Sequence, residues 1–390
     1  MSTHIQARSA ITATLLLLLS SLILTGCATR DMPDARAQHR ELVVDQDEAG
    51  LWAQMDRIEA LMQQAPERVR DPALQAYVDG LKCKLAPDIC ADIRIYILRQ
   101  AQFNAFMTPN GAMGLYTGLL LRCEDEAQLA SVIGHEIAHY RKRHVLENWR
   151  RAKNTAGWVT VIGLLAGGSG VGALATIGAY VNFASFSRTQ EKEADELGFA
   201  SLVQANYAAD APSQIWANVL AEEKLNPKPF LSGLFASHPS SPERQRYLAE
   251  MAKSPGAAAG AERGQITFAN AIAPHRNDWL DDELARRAYR QSELLLNRLG
   301  KIPYGQSQIS HAQGELFRKR GQQGDLERAA AAYQRAAKDE NVSNEVFRDL
   351  GLTLKKLGDA TGANTAFQEY LKRLPQADDA AMIRSYIDAR

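Results

Sequence analysis

Between Glu126 and Trp149 the apolar residues Leu129, Val132, Ile133, Ile137 and Tyr140 recur at spacings of three and four, around His135-Glu136-Ile137-Ala138-His139. That periodicity predicts an amphipathic helix. Two histidines four residues apart share one helical face, so both imidazoles can reach one ion, while Glu136 lies beside that ion without binding it. Val132, Ile133 and Ile137 require the helix to pack against a core, because an apolar stripe has no place in water. The chemistry this pattern suits is metal-assisted peptide hydrolysis. A zinc ion polarises the scissile carbonyl, and Glu136 takes a proton from the attacking water and passes it to the leaving amine.

Two histidines do not complete a catalytic zinc site, which takes three protein ligands. The candidate third is Glu191, in Ser187-Arg188-Thr189-Gln190-Glu191-Lys192-Glu193-Ala194-Asp195 at the start of a second predicted helix. Asp195, four residues on and hence on the same face, can accept a hydrogen bond from a ligand histidine. Glu193 points elsewhere and reads as a solvated charge. His144, His275 and His311 have no partners at ligand spacing and read as ordinary surface or core residues. The expected cofactor is one Zn2+ per chain, since two imidazoles, a carboxylate and an open position favour that ion.

The rest of the composition is compatible with such an enzyme. Of 390 residues, 46% are hydrophobic and 23% charged, which excludes a disordered chain or a small disulfide knot. Lysine plus arginine (45) equals aspartate plus glutamate (45), so no bulk positive field exists to hold nucleic acid. His4 and Arg8 precede an uncharged run from Ser9 to Thr25, the layout of a secretory signal. It ends in Leu24-Thr25-Gly26-Cys27, which resembles the lipobox of bacterial lipoproteins. That resemblance implies lipidation of Cys27, and Ala28 behind it points to the outer membrane. Export would place Cys83 and Cys90, seven apart around Pro87, where a disulfide persists, and leave Cys123 as a buried thiol.

Along the chain, residues 28 to 50 read as a polar tether and helical patterning starts at Leu51. Ile93, Ile95 and Ile97 alternate, and Pro109-Asn110-Gly111 precedes Met113 and Tyr116, so a strand, a tight turn and a second strand are expected ahead of the His135 helix. Asn154 to Ser187 holds no charge in 34 residues but seven glycines. Gly167-Gly168-Ser169-Gly170 splits it into two short apolar helices, a buried or cleft-covering hairpin in preference to a membrane span of ~20 residues. Beyond a linker around Ser254-Pro255-Gly256, a 34-residue frame starting at Asn344 places Phe347, Leu350, Gly351, Leu354, Ala363, Phe367 and Pro375 as a tetratricopeptide repeat does. One repeat upstream, Leu316, Ala329, Tyr333 and Ala336 recur in that frame, while Phe317 and Arg320 depart from its small and aromatic positions. Trp279 to Leu299 is expected to be helical with uncertain bounds.

His135 to His139, the apolar stretch, and Glu191-Lys192-Glu193-Ala194-Asp195 together resemble the HtpX and BepA-like family of zinc metallopeptidases, relatives of the CAAX prenyl proteases. Asn104-Ala105-Phe106 before Pro109-Asn110-Gly111, and Ser237-His238-Pro239 with Arg244, add to the resemblance, which covers roughly residues 50 to 255. It implies Glu191 as third ligand and Glu136 as catalytic base. His238 would then be a plug over the zinc, a donor to the transition-state oxyanion, or a loop histidine capping a helix. Arg244 is equally a structural ion-pair partner or an active-site cation. The repeats after a signal narrow the resemblance to the periplasmic, BepA-like branch.

The expected architecture is a signal peptide (1–26), a lipidated tether (27–50), an α+β zincin-type metallopeptidase domain, mainly α with a small β-sheet (51–255), a linker with helices (256–305) and all-α tetratricopeptide-like repeats (306–390). An exposed edge at Ala112 to Tyr116 would bind unfolded chains as an added strand. The resemblance implies a periplasmic endopeptidase for unfolded or misassembled polypeptides, held to the membrane by its lipid, with outer-membrane assembly machinery as a partner of the repeats. Two rivals are a chaperone-like repeat scaffold with a latent site, and an inner-membrane protease spanning the bilayer with residues 158 to 182.

Overall fold

The computed structural model describes residues 46–152, 163, 173–183, 185–225, 238, 242–254, 257 and 262–388. The signal segment, Cys27, most of the tether, Gly167 to Gly170, Ser237 and Pro239 lie outside them. The first helix, α1 (Gln46–Gln64), begins five residues before the apolar pattern does. It is followed by α2 (Pro72–Leu85), whose N-cap Asp71 accepts from the amides of Ala73 and Leu74. Cys83 and Cys90 are joined, with Cα atoms 4.8 Å apart, and Cys123 is a buried thiol.

Three strands form the sheet: β1 (Arg94–Leu98), β2 (Ala105–Met107) and β3 (Ala112–Tyr116). The turn expected at Asn110-Gly111 joins β2 to β3, with the Gly111 amide donating to the Thr108 carbonyl. β1 pairs in parallel with β3, Arg94 opposite Ala112 and Leu98 opposite Tyr116, so the spatial order is β1-β3-β2. This corrects one expectation. Ala112 to Tyr116 is the central strand, buried at every position, and offers no exposed edge. The edge beside the next long helix is β2.

Side chains alternate across this sheet, as the two-residue period demands. Ile95, Ile97, Ala105, Met107, Met113 and Leu115 face a large core built with the helices that follow. Tyr96, Leu98, Phe106, Ala112 and Tyr116 face a second apolar cluster with Leu51, Met55 and Ile58 of α1. After α3 (Thr117–Arg122) comes α4 (Glu126–Arg141), the His135 helix, which ends eight residues short of the Trp149 expected because Arg143 turns left-handed; it is capped by Asp125 on the Gln128 amide and buried along nearly its whole length. α5 (His144–Ala152) and α6 (Ala173–Phe183) close the second cluster through Trp149 and Tyr180. Among the described residues no helix is long and apolar enough to cross a membrane.

Ser187 and Gln190 form a reciprocal capping box that starts α7 (Arg188–Gln204). α7 crosses α4 closely: a Cβ added at Gly198 would lie 2.9 Å from the His135 amide nitrogen, so only glycine lets the two backbones approach this far. α8 (Ala211–Glu223) and α9 (Pro242–Met251) pack behind them. α10 (Gln265–Ile272), α11 (Arg276–Ala285) and α12 (Tyr289–Leu299) belong to the same continuous core. A buried ionic node ties them down: Arg122 donates to Glu222 (2.7 Å) and Glu283 (2.9 Å), and Arg298 donates to Glu222 (2.9 Å).

Four further helices, α13 (Gln306–Arg320), α14 (Asp325–Ala336), α15 (Glu345–Lys356) and α16 (Ala360–Arg373), pack as successive pairs before α17 (Ala380–Asp388). A Cβ at Gly351 would collide with the Phe367 ring, and one at Gly314 with the Tyr333 ring. The small residue of the upstream pair is therefore Gly314, where the 34-residue frame assigned Phe317. Gly314 and Gly351 lie 37 residues apart while Tyr333 and Phe367 lie 34 apart, so extra residues in the upstream pair shift the linear frame without altering the packing.

Candidate metal centre

α4 and α7 bring together the residues singled out in the sequence. His135 Nε2 and His139 Nε2 are 3.0 Å apart, with Glu191 oxygens 3.7 and 3.5 Å from them. His238 joins this group, and one donor atom from each of the four residues fits within 4.8 Å. All four are buried. Neither carboxylate oxygen of the fully buried Glu136 has a hydrogen-bond partner among the described residues, though His238 Nε2 stands 3.4 Å from one of them. A buried carboxylate without a donor is costly unless a further group completes the site. The donor set of imidazoles and one carboxylate, beside that incomplete acceptor, fits a divalent metal of zinc's preferences.

His238 Nδ1 lies 2.8 Å from Glu191 and 3.3 Å from His135 Nε2, with its ring beside those of His139 and Phe186. Its imidazole thus faces the ligand atoms. Burial favours neutral His238, but the negative Glu191 and Glu136 outweigh it and raise its pKa. Arg244 reaches the same group. It donates twice to Asp195 (2.6 Å each), pairs with Glu191, and lies over the Trp216 ring at 4.2 Å. Asp195 accepts from His135 Nδ1 at 2.9 Å, as its spacing from Glu191 predicts, and also from the Tyr247 hydroxyl. Burial would raise the Asp195 pKa, yet Arg244 and His135 hold it well below the ordinary range. Glu191 is likewise held ionised against its burial by His238 and Arg244.

Two expectations are corrected here. His144 is no ordinary histidine: it is buried, with Nδ1 2.9 Å from His139 Nδ1 and Nε2 3.0 Å from Glu193 Oε2. Glu193 is accordingly a partner of His144 and Lys142, not a purely solvated charge. Linear spacing hid this contact, because His144 lies beyond the end of α4. Phe186, stacked on His139 at 3.7 Å, and Tyr247 were also missed. Tyr247 sits one turn after Arg244 on α9, and that spacing was the available signal. His275 and His311 pair with Asp71 and Asp349, remote from this centre in the sequence and outside its ligand group.

The sheet edge next to α4 is also defined. Because Tyr116 N donates to Asn104 O and Thr108 N to Ala112 O, the even-numbered residues of β2 face β3, and the peptide groups of Ala105 and Met107 point away from it. The Tyr180 hydroxyl donates to the Met107 carbonyl at 3.2 Å.

Comparison with known proteins agrees with this geometry. Residues 70–252 match the model of peptidase family M48. The chain is 26% identical over 280 residues to the beta-barrel assembly-enhancing protease of Yersinia pestis, covering 60% of this chain and 56% of that one. It is 27% identical over 174 residues to the protein of the same name in Escherichia coli (strain K12), covering 41% and 36%. With the mitochondrial metalloendopeptidase OMA1 of Schizosaccharomyces pombe it shares 32% over 159 residues, covering 40% and 45%. The matches therefore span 36–56% of these relatives' lengths. On this match, and on the resemblance its motifs already carried, residues 70–252 form a peptidase family M48 domain similar to that of the BepA-like metallopeptidases.

Proposed function

We propose that this chain is a zinc-dependent endopeptidase in which His135, His139 and Glu191 hold one Zn2+ and Glu136 is the general base. The convergence of those donors beside a Glu136 carboxylate that has no hydrogen-bond partner among the described residues carries the reading. Zinc bound there supplies a Lewis acid that polarises the scissile carbonyl and acidifies water. Glu136, buried beside the donor group, takes the water's proton and returns it to the leaving amine. Asp195 holds the His135 ring through Nδ1, and Arg244 holds both Asp195 and Glu191 in place.

Extended polypeptide adds to β2, whose outward peptide groups at Ala105 and Met107 run beside α4; the incoming strand displaces the Tyr180 hydroxyl from Met107. Binding through main-chain groups selects unfolded chains over particular sequences. By analogy with relatives named for enhancing beta-barrel assembly, the substrates are misassembled outer-membrane proteins, the repeat helices receive a partner from the assembly machinery, and a lipid on Cys27 anchors the protein to the outer membrane.

His238 favours a second, gated state of the same site, because its ring sits among the ligand atoms and against Glu136. The test is cleavage of casein by the purified chain. A chelator and Glu136→Gln should each abolish it, and His238→Ala should raise the basal rate. Cleavage that survives both chelation and Glu136→Gln would overturn the mechanism. A wild type that binds zinc but stays inert, with or without His238, would instead support a repeat scaffold with a latent site.

A further inference from the structure

The contact between His139 and His144 has a chemical direction. With a metal on His139 Nε2, the atom turned toward His135 and Glu191, its Nδ1 carries the proton and donates it. The acceptor 2.9 Å away is His144 Nδ1. That requires His144 to be neutral with its proton on Nε2, which points at Glu193 Oε2, 3.0 Å away. Glu193 in turn takes Lys142 Nζ on its other oxygen at 2.6 Å. Every proton in this chain has one consistent place.

Backbone geometry supports a constructed contact. Arg143 adopts φ +55°, a left-handed conformation uncommon in residues other than glycine, directly after α4. That reversal starts α5 at His144 and returns its ring beneath His139. Ligand histidines ordinarily donate their second N–H to a carboxylate, a carbonyl or water. His135 does so to Asp195, whereas behind His139 the carboxylate stands one imidazole further out.

We propose that His144 is a positioning residue for the metal centre: it orients the His139 ring and fixes its tautomer, and Glu193 fixes His144 in turn. This rests on the metal-site reading above. The measurement is zinc affinity of the full chain by competition with a chromophoric chelator, with the absorption spectrum of the Co2+ form as a second readout. His144→Ala should weaken zinc binding about 10- to 100-fold and alter the Co2+ bands. His144→Asn, which can still accept from His139 Nδ1, should recover part of the loss. Glu193→Ala should produce a smaller loss in the same direction.

Zinc binding by His144→Ala with unchanged affinity and spectrum would overturn the inference. Should His144→Ala melt early in its metal-free form, Glu193→Ala decides from the more exposed end of the relay, and unchanged affinity there would overturn it equally. A wild-type chain that takes up no zinc refutes the metal-site reading itself, a distinct outcome.

Discussion

His135 and His139 stand four residues apart on one helix, yet the groups behind them differ in kind. Behind His135 lies a closed ionic cluster: Asp195 is buried, and Arg244, Tyr247 and the face of Trp216 surround it. Behind His139 lies a relay that leads outward, from buried His144 to Glu193, whose side chain is 40% exposed. The carboxylates of both supports come from α7, where Glu191, Glu193 and Asp195 occupy alternate positions, while His144 comes from α5. The same imidazole can thus be held by the low dielectric of an interior or by a hydrogen-bonded chain reaching solvent. Removal of a support should cost very different amounts in the two cases.

The largest effect is expected at Asp195→Ala. It leaves the buried Arg244 guanidinium with one carboxylate fewer, and breaking a buried ion pair costs about 3–5 kcal/mol. Urea denaturation of the metal-free chain should show a loss of that size; a loss below about 1 kcal/mol would mean that the cluster behind His135 is no stronger than a surface pair.

A carboxylate far from this centre in sequence tests the rule independently. Glu315 accepts from the buried Tyr333 hydroxyl at 2.6 Å and from Arg318, and although burial opposes its charge these donors bring its pKa down to about 2 from 4.5. A depressed carboxylate pKa stabilises the fold fully above the unfolded value and progressively less as pH falls through the folded one. Glu315→Gln should therefore lose up to about 3 kcal/mol at pH 7, with its gap to wild type closing between pH ~5 and ~2. A gap independent of pH would show that the side chain acts by packing alone.

The smallest effect is expected at Glu193→Gln. Its ion pair with Lys142 is about 40% exposed on both sides, so screening leaves a stability change well under ~1 kcal/mol. Thermal melting that shifts as much as for Asp195→Ala would erase the contrast between the two supports.

Local spacing, with the family resemblance for Glu191, made the candidate metal ligands legible. The i,i+4 relation of His135 and His139, the place of Glu191 at the start of a predicted helix, and the position of Asp195 one turn later all follow from helical geometry, and the structure places these residues together. Apolar alternation likewise revealed β1, and Asn110-Gly111 the turn before β3, but the short β2 that this turn joins to β3 was not foreseen as a third strand. What stayed hidden was relational. The order β1-β3-β2 puts the last strand in the middle, because a crossover brings β1 to the far side of β3; no pattern within Ala112 to Tyr116 marks that position. His144 was unreadable because its partner is reached through a left-handed residue past the helix end. Gly314 was missed because a fixed repeat length cannot absorb three extra residues.

The sequence by itself determined which side chains can act together in the candidate site, since residue type and helical period are properties of a short segment and fix which side chains share a face. Tertiary structure alone decided how that chemistry is supported: which strand forms the edge beside α4, that Arg244 and Tyr247 close on Asp195, and that Glu193 reaches His139 through His144. Those contacts join segments tens of residues apart, and they exist only because burial of the common core brings the helices close enough for short-range hydrogen bonds and ion pairs to form.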